Sequence, residues 1–258
     1  MRLSVAGLAV VAFLAGCEFG EEQSKELTTP TTTDAPSADA YLHYNVRWID
    51  NGAIDLMSPE ATFLRAFVES ETRAGYATGD PMQAIEAGGF PGFAHAFNNA
   101  RSPDTVGGVG KGGPQLIGTD FNEVVDVRRE GDQYKIVYCN YRSLVSYRNR
   151  EGQYPGLGTT PLASANQISF GPDPGLAPDL QRSPKSNQKG PARVAIDNVF
   201  GTWVATPGSE TMDRTSVEQW YSRCSKWAPG TPDDWPRDDR PRPTPPPTLP
   251  PSPGWPAD

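Results

Sequence analysis

The sequence predicts an α+β domain in which helices pack against a curved antiparallel sheet. Apolar residues recur at helical spacing over 59–74, whereas 133–147 alternates aromatic and β-branched residues with polar ones. The helical segment precedes the long strands, and this order favours segregated helices and strands over an alternating α/β arrangement. We expect one disulfide in this domain, a disordered tether before it and a proline-rich tail after it.

The first predicted elements are a strand and a helix. Residues 41–49 alternate, with apolar side chains at every second position, and the Asp50-Asn51-Gly52 turn ends the strand. Ser58 is a good N-cap and Pro59 suits the first helical position, so a helix is predicted over 59–74. A weaker helix is predicted over 81–97, where two glycines and a proline must break it.

The second half of the domain is predicted to be mainly strands. Residues 123–129 and 133–147 flank a Glu-Gly-Asp turn and predict a long hairpin, and 192–205 predicts another strand. A capping box, Thr215-Ser216-Val217-Glu218, opens a short helix whose apolar face contains Val217, Trp220, Tyr221 and Cys224. The stretches 98–118 and 150–190 are predicted to be long loops, which are either functional or mobile.

The two ends of the chain differ from the middle in composition. Glycine and proline number 26 and 27 of 258 residues, and many prolines lie in 236–258, which predicts an extended, solvated polyproline II tail. Residues 18–36 are acidic and then rich in threonine and proline, which predicts a disordered tether. The folded domain is therefore predicted to span 37–235.

The N-terminal residues predict export. An apolar run over 5–14 follows Arg2 and is too short to span a bilayer, as in a signal peptide over 1–16. It ends in Leu-Ala-Gly-Cys17, which resembles the lipobox of bacterial lipoproteins, and with the Thr/Pro tether the chain is similar to actinobacterial-type exported lipoproteins. The resemblance implies diacylglycerol on Cys17 and a lipid anchor on the extracytoplasmic face of the cell membrane. The alternative is an ordinary secretory signal with a chance cysteine.

The number of cysteines is consistent with an exported protein. If Cys17 is lipidated, Cys139 and Cys224 remain, and export favours a structural disulfide between them. Two buried free thiols and a redox pair are the alternatives, although no Cys-x-x-Cys motif supports the latter. The net charge of −8 gives no electrostatic reason to bind nucleic acid.

No motif for catalysis, metal binding or cofactor binding is complete, so the sequence predicts neither a catalytic residue nor a cofactor. The glycine run over 107–113 lacks the spacing of a phosphate-binding loop, and Ser186 to Lys189 matches only a bare Ser-x-x-Lys. His43 and His95 are the only histidines and are candidate binding residues, although each is more simply a packing residue.

Aromatic residues on predicted strands offer a second hint of binding. Tyr138, Phe200 and Trp203 are candidates to line an apolar pocket on a curved sheet, with core packing as the alternative. The order of elements loosely resembles the ketosteroid-isomerase-like cone, which implies such a curved sheet, although no motif carries this resemblance.

Three hypotheses for function follow. The first is a non-enzymatic binding or interaction lipoprotein whose partner is an envelope protein or the cell wall. The second is an envelope hydrolase, or a carrier of a small ligand or lipid, that uses a curved-sheet pocket. The third is a phage-encoded or accessory exclusion lipoprotein.

Overall fold

A mixed five-stranded sheet, curled into half a barrel, organises the domain. The computed structural model describes residues 37–155, 161, 163–228, 231–233, 237–238 and 240–257. The predicted signal peptide, Cys17 and the tether lie outside this part of the chain. The strands follow one another in chain order across the sheet: β1 (Leu42–Ile49), β2 (Leu116–Glu130), β3 (Gln133–Tyr147), β4 (Ala163–Pro172) and β5 (Trp203–Ala205).

The strand pairings are antiparallel except at one edge of the sheet. β1 pairs with β2 in parallel, because the helices between them return the chain to the same end. Two register shifts in β2, at Thr119/Phe121 and Val124/Asp126, bend the sheet where β2 pairs with β3. Gly118 adopts φ +111°, and a Cβ there would lie 1.9 Å from the Leu144 carbonyl oxygen, so only glycine permits this approach.

Within the described residues, four α-helices cover the two faces of the sheet. The first three, α1 (Pro59–Tyr76), α2 (Pro81–Gly88) and α3 (Phe93–Phe97), form the main core with the inward face. The predicted cap of α1 is confirmed, since the Ala61 amide donates to Ser58 Oγ at 3.2 Å. The predicted break in the second helix is also confirmed. The last helix, α4 (Arg214–Cys224), covers the opposite face.

Two strand predictions are wrong. Residues 192–205 form a strand only at Trp203–Ala205, because the preceding residues run as irregular chain over the core, which buries Val199 and Phe200 without pairing them. Conversely, β4 lies within the predicted loop 150–190; its small and polar residues give a weak strand signal, and pairing with β3 provides the missing support. Strand β2 likewise begins inside the predicted loop 98–118.

The predicted disulfide is confirmed. Cys139 on β3 and Cys224 at the end of α4 are bonded, with both side chains fully buried. The predicted apolar face of α4 needs a correction, because Tyr221 is 56 % exposed, although Trp220 packs beside the disulfide. Asp213 rather than Thr215 caps α4, since its carboxylate accepts from the Ser216 amide at 3.0 Å.

The prediction of a solvated tail is wrong for the last residues of the chain. We call residues 245–257 the strap, because they wrap around the edge of β1 and end in the core. Trp255 is 1 % exposed, and its indole donates to Glu69 Oε2 at 2.7 Å. The folded domain therefore extends about twenty residues beyond the predicted boundary at 235.

The strap closes the exposed edge of the sheet. The Trp48 amide donates to the Ser252 carbonyl at 2.6 Å, and Ser252 in turn donates to the Val46 carbonyl. Side chains also donate hydrogen bonds to neighbouring carbonyls of the strap. The Thr119 hydroxyl donates to the Pro247 carbonyl, and the Asn45 amide donates to the Leu249 carbonyl. Proline-rich chain suits this role, because it occupies the edge without offering a further strand for pairing.

The glycine run has a structural explanation. Gly108 and Gly110 donate backbone hydrogen bonds to the Ala74 and Gly75 carbonyls at the end of α1. A Cβ on Gly110 would lie 2.9 Å from the ring of Tyr76. The run is therefore a C-terminal cap that must pack closely on the helix.

Candidate functional site

The inward face of the sheet changes character along β3. Ile136 and Tyr138 belong to the main core, whereas Asn140 and Arg142, at the next two inward positions, line cavities. Strand β4 shows the same change from Ile168 to Ser164. Half of the face under α1 is thus packed and half is polar and open.

Three adjoining cavities in this polar half make one feature, which we call the polar groove. Their volumes are about 450, 130 and 240 Å³. The first two share Asn140, Arg142 and Ser164, and the last two share Glu71 and Thr72 of α1. The groove therefore runs from the end of β3 along the sheet to the C-terminal end of α1.

Asp120 lies in the central cavity of the groove. Its residue is 7 % exposed, and Asn140 Nδ2 donates to Asp120 Oδ1 at 2.8 Å. Burial raises the pKa of Asp120 to about 6, although the nearby Arg142 guanidinium and the Asn140 hydrogen bond oppose this. The same amide nitrogen also donates to Asn122, so Asn140 fixes the position of both acceptors.

A pair of carboxyl groups lies farther along the groove. Glu71 of α1 lines the central and the third cavity, and its carboxyl group lies close to that of Glu210 in the turn after β5. Arg101 contacts both, with its Nε 3.1 Å from Glu210 Oε2. Burial raises the pKa of Glu71, and burial together with the Glu71 charge raises that of Glu210 to about 8. The pair therefore favours holding one proton at neutral pH.

The phenol of Tyr138 completes the central cavity. The residue is 5 % exposed, and within the described part of the chain its hydroxyl has no hydrogen-bond partner. Burial raises its pKa, so the hydroxyl stays neutral and offers both a donor and an acceptor. A ligand or a water molecule in the central cavity can therefore bond this hydroxyl.

The other predicted binding residues do not line the groove. Phe200 is fully buried in the main core, and Trp203 stacks on Tyr134. His43 lies at an exposed position of β1. His95 lies on α3, and its Nε2 is 3.5 Å from Asp173 Oδ2. Of the five predicted binding residues, only Tyr138 contributes to the polar groove.

The buried carboxyl groups predict that stability falls as pH rises. The pKa values of Asp120, Glu69 and Glu210 are raised to about 6, 7 and 8, so the folded chain keeps protons that the unfolded chain releases above about pH 4. Their contribution is complete below that pH and is lost as pH rises to about 8. We expect Glu210→Gln to reduce the loss of unfolding free energy between pH 6.5 and pH 8. Urea unfolding at pH 5, 6.5 and 8 measures this change.

The matched control for this variant is Glu130→Gln, which changes an exposed carboxylate at the β2–β3 turn. It should leave the pH dependence of the unfolding free energy as in the parent protein. An unchanged slope in Glu210→Gln would contradict the assignment of a proton to the carboxyl pair.

The described residues contain no group of three or more histidine, cysteine, aspartate or glutamate side chains arranged to hold a metal ion. Nor does any helix in this part of the chain have both the length and the apolarity to cross a membrane. No protein-family model, no curated protein and no solved structure matches the chain.

Proposed function

We propose that this chain is an exported lipoprotein, anchored through lipid on Cys17 to the extracytoplasmic face of the cell membrane, whose domain binds a small ligand without turnover. The lipobox and the Thr/Pro tether support the anchor. The observation that carries the binding role is the polar groove between α1 and the sheet, where Asp120, Glu71 and Tyr138 are buried beside open cavities.

The composition of the groove favours a binding site over imperfect packing. A sheet face that only packs against a helix is apolar, as it is at Ile136 and Ile168. Burying carboxyl and hydroxyl groups costs free energy unless they are paired, so their concentration around cavities needs a compensating role. A concave site with a few convergent polar groups and perturbed pKa values is typical of small-ligand binding.

Filling the groove is predicted to abolish ligand retention. Ser164 is exposed and lines both the first and the central cavity, so Ser164→Trp should occupy ligand space without disturbing the core. Ser222→Trp on the exposed face of α4 is the matched control. Solvent extraction of both proteins, purified from host membranes, should release the same small molecule from the parent and the control only. Equal recovery from Ser164→Trp would place the ligand elsewhere.

The anchor is predicted to depend on one thiol. Cys17→Ser should abolish radiolabelled fatty-acid incorporation and move the protein out of the membrane fraction, because the lipid is attached through sulfur. Cys139→Ala/Cys224→Ala, which keeps Cys17, is the control and should still be labelled. Membrane association of Cys17→Ser equal to that of the parent would contradict the lipoprotein proposal.

An envelope hydrolase is the second candidate, and the carboxyl pair favours it. A protonated carboxyl beside a cavity is suited to general acid catalysis, and Glu71 is the member that lines the groove. Turnover of the bound molecule by the parent protein, lost in Glu71→Gln while binding persists, would favour this candidate over simple binding.

A further inference from the structure

The polar groove contains more acidic than basic groups. Three carboxyl groups line or border it, those of Asp120, Glu71 and Glu210, whereas its guanidinium groups are those of Arg101 and Arg142. Arg142 is the main favourable charge near Asp120, and Arg101 is shared by both glutamates. One carboxyl group therefore lacks a cation of its own within the described residues, and the Glu71–Glu210 pair keeps a proton in its place at neutral pH.

Two buried carboxyl oxygens, Glu71 Oε1 and Glu210 Oε2, have no hydrogen-bond partner among the described residues, although Arg101 lies beside both. The amide nitrogen of Asn140 already donates to Asp120 and Asn122. The Tyr138 hydroxyl, on a residue 95 % buried, has no partner among the described residues and lines the same cavity. This hydroxyl is independent of the acidic groups, and it leaves a polar atom open to a ligand in the cavity.

The opposite end of the groove is largely apolar. Leu116 and Val145 are buried, and with Tyr147 and Ala163 they form the apolar wall of the largest cavity. A ligand that spans the groove would therefore contact apolar surface at one end and carboxyl groups at the other. The distribution favours an amphiphilic molecule.

We propose that the polar groove binds a small organic cation, with an ammonium group beside Asp120, Glu71 and Tyr138 and an apolar portion against Leu116 and Val145. The inference rests on the proposed small-ligand function and names the class of ligand. An ammonium group would take the place of the proton that the glutamate pair keeps, and its three donors suit the open carboxyl oxygens. A carboxylate at this position would instead face three carboxyl groups.

The test compares three probes of equal chain length: n-hexylamine, n-hexanol and sodium hexanoate. Calorimetric titration of the full mature chain at pH 7.5 is expected to give about tenfold tighter binding of the amine than of either other probe, or about 1.4 kcal/mol. Asp120→Asn should remove most of this preference, whereas Asp132→Asn at the exposed β2–β3 turn should keep it.

A second variant tests the cation inference even if Asp120→Asn does not fold. Arg142 is exposed, so Arg142→Gln should fold, and removing its charge should tighten amine binding and weaken hexanoate binding. Equal affinities for the three probes, a preference for hexanoate, or no amine binding would each overturn the cation inference. The proposed function would fail separately, if Ser164→Trp retained the host-derived molecule.

Discussion

Replacing Trp255 by alanine is expected to lower the free energy of unfolding by about 3–5 kcal/mol, as for large aromatic residues in other cores. The side chain is 1 % exposed, packs edge-to-face on Phe90 and lies under the guanidinium of Arg65, whose Cζ is 4.5 Å from the ring centroid. The variant would also leave Glu69 with one indole donor, that of Trp48 at 3.1 Å.

The effect should extend to the whole strap. Arg65 donates to the Pro253 and Gly254 carbonyls of the strap. It also donates to the carbonyls of Leu56 and Gln188. Loss of the Trp255 side chain is therefore expected to weaken the hydrogen bonds of this buried arginine. Urea unfolding monitored by circular dichroism measures the change, and Trp227→Ala, at a half-buried tryptophan outside the main core, is the control. A loss no larger in Trp255→Ala than in the control would contradict a docked strap.

Removing the disulfide is expected to cost about 4–5 kcal/mol of unfolding free energy. The bond joins residues 85 positions apart, and closing so long a loop removes much conformational entropy from the unfolded chain. It also holds α4 on a small core cluster that contains Val137 and Tyr141. Cys139→Ala/Cys224→Ala should therefore show a lower urea midpoint, measured at pH 7.

Chemical reduction provides an independent check of this effect. The parent protein unfolded in the presence of a reductant should have a midpoint close to that of the double variant, which should itself not respond to reductant. A double variant within about 1 kcal/mol of the oxidised parent would show that α4 contributes little to the cooperative fold.

The sequence predicted the elements whose signals are local. Helix α1 has a Ser-Pro start and an apolar stripe, and the hairpin of β2 and β3 has alternation on both sides of a Glu-Gly-Asp turn. The disulfide followed from counting cysteines once Cys17 was set aside. For the helix and the hairpin, neighbouring residues alone specify the structure, whereas the disulfide joins residues 85 positions apart and was predicted by elimination.

The elements that the sequence missed depend on distant partners. Strand β4 has few β-branched residues and is stabilised by its pairing with β3. The strap looks like solvated polyproline II by composition, and only the buried site formed by Arg65, Glu69 and Trp48 explains its docking. A tryptophan in an otherwise proline-rich tail was the available signal.

The groove was predictable only in part. Polar residues at inward positions 140 and 142 of an otherwise apolar strand face mark where the packing stops, and Tyr138 was predicted as a binding residue. The carboxyl groups come from α1, β2 and the turn after β5, so no spacing brings them together. No local pattern marks Glu71 as buried, although its side chain is only 12 % exposed.

The most direct test of the central claim is native mass spectrometry of the full-length protein, extracted from its host's membranes in mild detergent. The proposed function predicts a chain that begins at Cys17, carries diacylglycerol, contains one disulfide, and holds a small molecule that gentle collisional activation releases. A bare chain without lipid and without a retained molecule, from a preparation in which the disulfide is intact, would contradict it.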